Sequence, residues 1–227
     1  MNSVALAPVI AIDGPSASGK GTVAQRVAQA LGFAYLDSGA LYRLCALAAV
    51  RKGVALDDAA ALAALACSLD IRFDGERIFL VGEEVGDSVR SESCGADASR
   101  TAALPALRAA LLQRQHDFRR QPGLVCDGRD MGSVVFPDAT LKVFLTASAT
   151  ARAERRTKQL KEKGMYAKIQ DVINELQRRD ERDSARPVAP LRHYPDARFL
   201  DTTNLSIAQA VNQVVEWYRE ASGDDAR

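Results

Sequence analysis

Apolar residues along this chain fall into short continuous runs separated by stripes at helical spacing. Val9–Ile12, Phe33–Leu36, Leu124–Cys126, Leu141–Leu145 and Arg198–Leu200 are short and largely apolar, as strands buried on both faces are. Thr22–Leu31 carries Val23, Ala24 and Val27 and stops at Gly32, a residue suited to a helix C-cap. Leu104–Phe118 sets Leu104, Leu107, Leu111 and Phe118 on one stripe with charges opposite. Thr150–Lys163 ends in a basic turn and Gly164, and Ile207–Tyr218 repeats the helical pattern through Ala210, Val211 and Val214. Strands alternating with helices predict an α/β fold with a five-stranded parallel sheet flanked by helices. Ligands of such a sheet gather beyond the carboxyl ends of its strands.

One region departs from that rhythm. Ile71–Phe73, Ile78–Val81 and Glu83–Val85 are strand-like pieces joined by Asp74-Gly75 and by Gly82. Asp-Gly between such pieces signals a hairpin, so residues 67–100 are expected to form a small antiparallel insertion in one domain spanning 1–227. Ser222–Arg227 is polar and expected to fray.

Composition narrows the classes of function. The chain is 47% hydrophobic and 26% charged, with a net charge of +1. That balance leaves no electrostatic footprint for nucleic acid. No apolar run approaches the roughly 18 residues that span a bilayer, and no targeting segment is visible. Cys45, Cys67, Cys94 and Cys126 lack metal-ligand spacing, and Cys126 reads as a small core residue. With only His116 and His193 present, histidine acid–base or zinc chemistry is not expected. The expectation is a cytoplasmic monomer without disulfides.

The strongest chemical signal is the segment Gly14-Pro15-Ser16-Ala17-Ser18-Gly19-Lys20-Gly21-Thr22. It follows an apolar strand and opens a helix, the context of a phosphate-binding loop. Glycines let backbone N–H groups converge on an anion, and the helix start adds donors and a positive dipole end. Lys20 supplies a cation for the outer phosphates, so the loop is expected to hold a nucleoside triphosphate. The general motif places Ser or Thr after the lysine as a Mg²⁺ ligand; here Gly21 stands there. No direct protein ligand to Mg²⁺ is therefore expected, the ion being held by phosphates and water.

Charge concentrates at other element ends. These are Leu36-Asp37-Ser38-Gly39-Ala40-Leu41-Tyr42-Arg43, Ser99–Arg108, Asp127-Gly128-Arg129-Asp130-Met131-Gly132, and the run from Arg178 to Arg186. Phosphoryl transfer between two anions needs arginines converging on one point. Arg129 and Asp130 follow an apolar strand, where the sheet places its ligands. Arg178 and Arg182 read instead as a solvated helix face with ion pairs along it. Tyr42, on the turn after Ser38-Gly39, reads as a site wall.

In order and spacing these segments, ending in Arg186-Pro187-Val188-Ala189-Pro190-Leu191, resemble the bacterial cytidylate kinases, a family of P-loop nucleoside monophosphate kinases. The Gly-Lys-Gly-Thr form of the loop also looks like these kinases rather than the GTPase switches. Ala17-Ser18, where the family more often has Gly-Ala, and Pro187 are small departures. The resemblance implies transfer of the ATP γ-phosphoryl to CMP or dCMP with Mg²⁺. It implies that Gly14 to Thr22 hold ATP and that Arg155 and Arg156 sit in a short lid at 150–165. Arg43, Arg129 and Arg186 would grip the CMP phosphate. Ser99, Arg108 and Asp130 would face the cytosine, and Ser38, Arg179 and Asp183 would contact the sugar. Tyr42 would pack beside the nucleotide, and Asp127 would order water around Mg²⁺. Lys20, Arg129 and Arg186 would carry catalysis, and the 67–100 insertion would bind the monophosphate. Cytosine chemistry agrees with the base set: its N4 amino group donates to a carboxylate, and its O2 and N3 accept from a guanidinium. A kinase for another small acceptor would need different residues at those positions. A guanine-nucleotide switch would need an Asn-Lys-x-Asp motif, which the chain lacks.

Overall fold

In the computed structural model, which describes residues 6–75, 77–162 and 164–223, the strand after Ala7 and Pro8 is buried at every position. In chain order the elements are β1 (Val9–Asp13), α1 (Lys20–Leu31), β2 (Ala34–Asp37), α2 (Ser38–Arg51), α3 (Ala59–Ser68), β3 (Ile71–Asp74), β4 (Arg77–Leu80) and β5 (Glu83–Glu84). There follow α4 (Gly86–Val89), α5 (Glu92–Thr101), α6 (Pro105–His116), β6 (Leu124–Gly128), a π-helical turn at Met131–Val135, β7 (Leu141–Thr146), α7 (Ala149–Glu162), α8 (Ile169–Ser184), β8 (Arg198–Asp201) and α9 (Ile207–Ser222). They divide into two units, Met1–Leu36 with Phe118–Arg227, and Asp37–Asp117.

The first unit is built on a five-stranded parallel sheet in the order β2-β6-β1-β7-β8. Val9 to Asp13 pair with Leu124 to Gly128 on one side, and Ile10 to Asp13 with Leu141 to Phe144 on the other. β1 lies in the middle because it is apolar on both faces. α1 and α9 cover one face, burying Val23, Val27, Ala210, Val214 and Tyr218 with Ile10, Ile12, Val125, Val143 and Leu145. Phe33 meets Tyr218 edge-on at 5.5 Å. Gly32, at φ 67°, ends α1 with its N–H turned back to Ala28 and Gln29, and a Ser206–Gln209 capping box starts α9. α7 and α8 pack on each other through Ala153, Leu160, Val172 and Leu176.

The five apolar runs read from the sequence are the five strands of this sheet. β1 and β6 run further than the apolar pattern, to Asp13 and Gly128, because backbone pairing continues after side chains turn polar. Helix ends differ from expectation by one or two residues, except that α9 continues to Ser222. Of the C-terminal segment expected to fray, residues 224–227 lie outside the described residues, as does Lys163 of the basic turn.

The second unit contains the antiparallel sheet β3-β4-β5, with Ile71 opposite Leu80 and Phe79 opposite Glu84. Arg72 stacks on Phe79 at 3.9 Å. The stretch 67–100 also holds α4 and α5, so it is helical as well as antiparallel. α5 escaped the periodicity reading because it buries small residues, Cys94, Gly95, Ala98 and Ser99, rather than a stripe of large ones. α2 escaped it too, since its Ala- and Leu-rich sequence is apolar nearly all round. Asp37, Asp58 and Ser91 cap α2, α3 and α5 by accepting from Ala40, Ala61 and Cys94 N–H. Among the described residues no helix is long and apolar enough to cross a membrane.

Asp13 closes β1 and anchors the turn that follows β6. Its carboxylate accepts from Met131 N–H at 2.8 Å and Gly132 N–H at 2.9 Å. Burial pushes its pKa up from 3.8 to about 7, against the two N–H donors and with help from Asp130. A carboxyl that holds its proton more tightly when folded stabilises the protein fully below 3.8 and loses that contribution as pH rises through 7. Denaturant unfolding of wild type and Asp13→Asn across pH 4.5–8 is expected to show the wild type losing stability relative to the variant as pH rises. The differential is on the order of a few kcal/mol; parallel stability curves would show that Asp13 titrates normally.

Candidate active site

The phosphate loop passes so close to β7 that a Cβ at Gly14 would lie 2.0 Å from the Leu145 carbonyl oxygen. Only glycine fits there without moving backbone. At its other end Gly19 adopts φ 95° as the N-cap of α1, a conformation side chains disfavour. Arg155 donates to Ser18 O at 2.8 Å and to Thr202 O at 2.6 Å, and Thr202 Oγ1 donates to Ser18 O at 3.2 Å. That carbonyl is thus satisfied from behind, by side chains of α7 and of the residue after β8. Arg156, by contrast, donates to Gln159 on the exposed side of α7.

Ser16 is the centre of a second set of contacts. Arg129 Nη2 donates to its hydroxyl at 2.8 Å, Arg152 donates to its carbonyl at 3.2 Å, and its N–H donates to Asp180 at 3.3 Å. Arg152 and Asp180 form an ion pair with each other. α7 and α8 thus hold the outer edge of the loop through one charged pair, and Ala17 packs on the apolar contact between them.

Arg129 reaches further. Its Nε donates to Asp183 Oδ2 at 2.8 Å, while Arg186 donates to Asp183 Oδ1. Asp183 is only 2% exposed. Burial works against its charge, but Arg129, Arg186 and Arg179 outweigh that and hold its carboxyl below the usual range. Three guanidiniums around one carboxylate leave an excess of positive charge, which suits an anionic ligand. Arg178 and Arg182 are exposed, while Arg179 is half-buried and Asp183 and Arg186 are buried. The run from Arg178 to Arg186 thus separates its solvated arginines from those turned inward. Asp130, buried at the start of the π-helical turn, accepts from Val134 and Val135 N–H through its carbonyl.

Lys20 opens α1 with Nζ 3.8 Å from Asp127 Oδ2, and Tyr35 donates its hydroxyl to Asp127 Oδ1 at 2.8 Å. Among the described residues no three His, Cys, Asp or Glu side chains gather as a metal cage. The buried thiols offer no nucleophile either: burial pushes Cys45 up to about 12 and Cys126 well above its ordinary value.

The second unit holds the remaining residues singled out from the sequence. Ser38 and Gln115 are buried and bonded, hydroxyl to Oε1, at 2.9 Å. Arg108 lies over the Tyr42 ring at 5.7 Å and donates to Ala102 O at 3.3 Å. Ser99 is buried on α5. Arg43 donates to Val89 O at 2.8 Å and Ser91 O at 3.0 Å, bridging the end of α4 and the cap of α5. The structure therefore gathers Arg129, Arg179, Asp183 and Arg186 beside the phosphate loop in one unit, and Tyr42 with Arg108 in the other.

Sequence reading passed over Asp13, Tyr35, Gln115, Arg152 and Asp180. Arg152 is one helical turn from Arg155 and Arg156, a signal that was present. Asp180 sits inside the Arg/Asp run, where alternation of charge hides which members turn inward. Gln115 carries no signal in a helix rich in polar residues.

Residues 10–220 match the family model described as cytidylate kinase. A cytidylate kinase from Chromobacterium violaceum is 60% identical over 218 residues, covering 95% of this chain and 98% of that one. Cytidylate kinases from Nitrosomonas europaea and Bordetella bronchiseptica are 58% and 55% identical, over 94% and 96% of this chain and 96% and 97% of theirs. Among solved structures a gluconokinase from Sinorhizobium meliloti aligns with a TM-score of 0.50 at 15% identity, covering 96% of this chain and 95% of that one. At that identity it shares the fold. With a family match over nearly the whole chain and relatives at 55–60% identity, the chain belongs to the cytidylate kinase family.

Proposed function

We propose that this chain transfers the γ-phosphoryl group of ATP to CMP or dCMP, giving ADP and CDP or dCDP. The observation that carries the reading is Arg129, whose one guanidinium bonds both Ser16 of the phosphate loop and Asp183, the partner of Arg186. A residue shared between a donor loop and a cluster of acceptor-type arginines is what transfer between two phosphates requires.

The chemistry asks little of the protein in covalent terms. The attacking oxygen of a nucleoside monophosphate is already ionised, so no general base is needed, and transfer runs in line with no enzyme intermediate. Gly14 to Thr22 hold the ATP phosphates, and Lys20 neutralises charge as it develops on the outer ones. In the first unit Arg129 and Arg186 take the acceptor phosphate, Arg179 and Asp183 the sugar, and Asp130 the cytosine amino group. In the second unit the family's pattern gives Arg43 to phosphate, Ser38 to the sugar and Ser99 and Arg108 to the base, with Tyr42 packing beside the nucleotide. The 67–100 stretch forms part of the monophosphate-binding region. The 150–165 segment closes over ATP, with Arg155 at its base and Arg156 on its outer side; such closure excludes water.

Mg²⁺ belongs to the same proposal. The donor set fits an ion held by phosphates and water, with one carboxylate behind that water: Asp127 is buried beside Lys20, and Gly21 contributes no side-chain oxygen. Mg²⁺ held there would supply positive charge against the ATP phosphates. Asp127 is the residue that orders its water. The enzyme is further proposed to work as a monomer in the cytoplasm, with its free cysteines reduced; size exclusion tests the first point.

Release of ADP from ATP in the presence of each ribo- and deoxyribonucleoside monophosphate in turn tests the reading. CMP and dCMP are expected to be the best acceptors; a preference for any other acceptor would overturn it.

Lys20→Ala is expected to lose two to three decades in kcat while remaining folded, roughly 3–4 kcal/mol of transition-state stabilisation. Near-normal turnover would remove Lys20 from the chemistry. Arg129→Ala and Arg186→Ala are expected to weaken use of CMP far more than binding of ATP, and Arg182→Ala to be mild. Steady-state kinetics on the three variants check this, and equal damage from Arg182→Ala would contradict the division of the 178–186 run into inward and outward arginines. Asp130→Asn is expected to lower the ratio of kcat/KM for CMP to that for UMP, because uracil presents an acceptor oxygen where cytosine has its amino group. The wild type should favour CMP by roughly 2–4 kcal/mol; an unchanged ratio in an active variant would exclude Asp130 as the base reader.

A further inference from the structure

Gly21 leaves the phosphate loop without the hydroxyl that such loops commonly place after the lysine, and a different hydroxyl stands beside that position. A Cβ built on Gly21 would lie 3.7 Å from Tyr35 Oη and 3.8 and 3.9 Å from the two carboxylate oxygens of Asp127. Tyr35 donates to Oδ1 of that carboxylate at 2.8 Å, and Oδ2 faces Lys20 Nζ at 3.8 Å. The two oxygens of Asp127 thus have different partners: one a neutral donor from β2, the other the cation of the loop.

The tyrosine is suited to fix a geometry. Its ring packs against the apolar cluster shared by the sheet, α1 and α9, so its hydroxyl is placed by packing rather than by a flexible stem. A hydrogen bond to an ionised acceptor is among the stronger kinds, and it constrains the plane of the carboxylate as well as its position. Removing the donor would free Asp127 to turn both oxygens toward Lys20, drawing the lysine away from phosphate.

We propose that Tyr35 is a positioning residue for the metal side of the site. Its hydroxyl holds Asp127 so that Oδ2 stays directed at Lys20 and at the water shell of magnesium–ATP, replacing in function the hydroxyl missing at position 21. The inference rests on the reading of Asp127 as the residue that orders that water.

The test is the gain in ATP affinity that Mg²⁺ confers, measured calorimetrically as the ratio of the dissociation constant in EDTA to that in saturating Mg²⁺. Tyr35→Phe removes one oxygen and leaves the ring. It is expected to bind ATP in EDTA as the wild type does and to lose about five- to tenfold of the magnesium gain. Gly21→Ser in the Tyr35→Phe background is expected to restore part of that gain, since a Cβ there meets only ordinary contacts. A tyrosine that merely supports the fold would weaken ATP binding equally with and without metal, which would overturn the proposal. So would an unchanged gain in Tyr35→Phe alongside a reduced gain in Asp127→Asn. An unchanged gain in Asp127→Asn would instead overturn the reading of Asp127 on which the proposal stands. If Tyr35→Phe proves unstable, Tyr35→Leu answers the same question, because the ratio is internal to each protein.

Discussion

Asp183 sits between Arg129 and Arg186, one carboxylate oxygen to each, with Arg179 contributing to the same field. Guanidiniums brought together without an anion repel one another, and more strongly where water is scarce. A buried carboxylate among them offsets that repulsion before any substrate arrives. It also leaves the group with excess positive charge, so an incoming phosphate still gains by binding. The reactants of a cytidylate kinase are both anions, and in the proposed reading this arrangement prepares the protein to hold them close.

The remainder of the first unit serves to keep that arrangement beside the phosphate loop. β1 ends in the loop and β6 ends in the turn that bears Arg129 and Asp130, so parallel pairing of the two strands sets both segments at the same edge of the sheet. Asp13 ties the turn to β1 through two backbone N–H groups. α7 and α8 reach the loop from outside through Arg152 and Asp180, and Arg155 fastens Ser18 to the end of β8. Each contact uses a charged or polar group at the carboxyl end of a strand or on a helix facing it. The loop is consequently shaped by its neighbours and not by its glycines alone.

Much of this was legible in the chain because it rests on local rules. A strand buried on both faces must be a short apolar run, and the five runs mark the five strands. A phosphate loop must have glycine where the backbone turns left-handed or meets another backbone, and Gly14 and Gly19 stand where both demands arise. Asp37 and Ser91, which cap α2 and α5, are local signals that the sequence reading passed over. α2 and α5 themselves were harder to see, the first being apolar on every side and the second burying residues too small to form a stripe.

By itself the sequence determined the five strands of the parallel sheet and four of the helices, α1, α6, α7 and α9, together with the place of the glycine-rich loop between β1 and α1, because spacing, propensity and residue type act over a few positions at a time. Which members of a charged run turn inward was decided only in three dimensions. Asp180 and Asp183 are three residues apart on α8 and alike in kind, yet one meets Arg152 and the loop backbone while the other meets Arg129 and Arg186. Tyr35 reads as an apolar strand residue until the sheet order sets β2 beside β6 and brings its hydroxyl to Asp127. The physical reason is common to these cases: apart from the local Asp183–Arg186 pair, each of these hydrogen bonds joins residues far apart in the chain and depends on how the elements pair and pack, so no short window of sequence contains both partners.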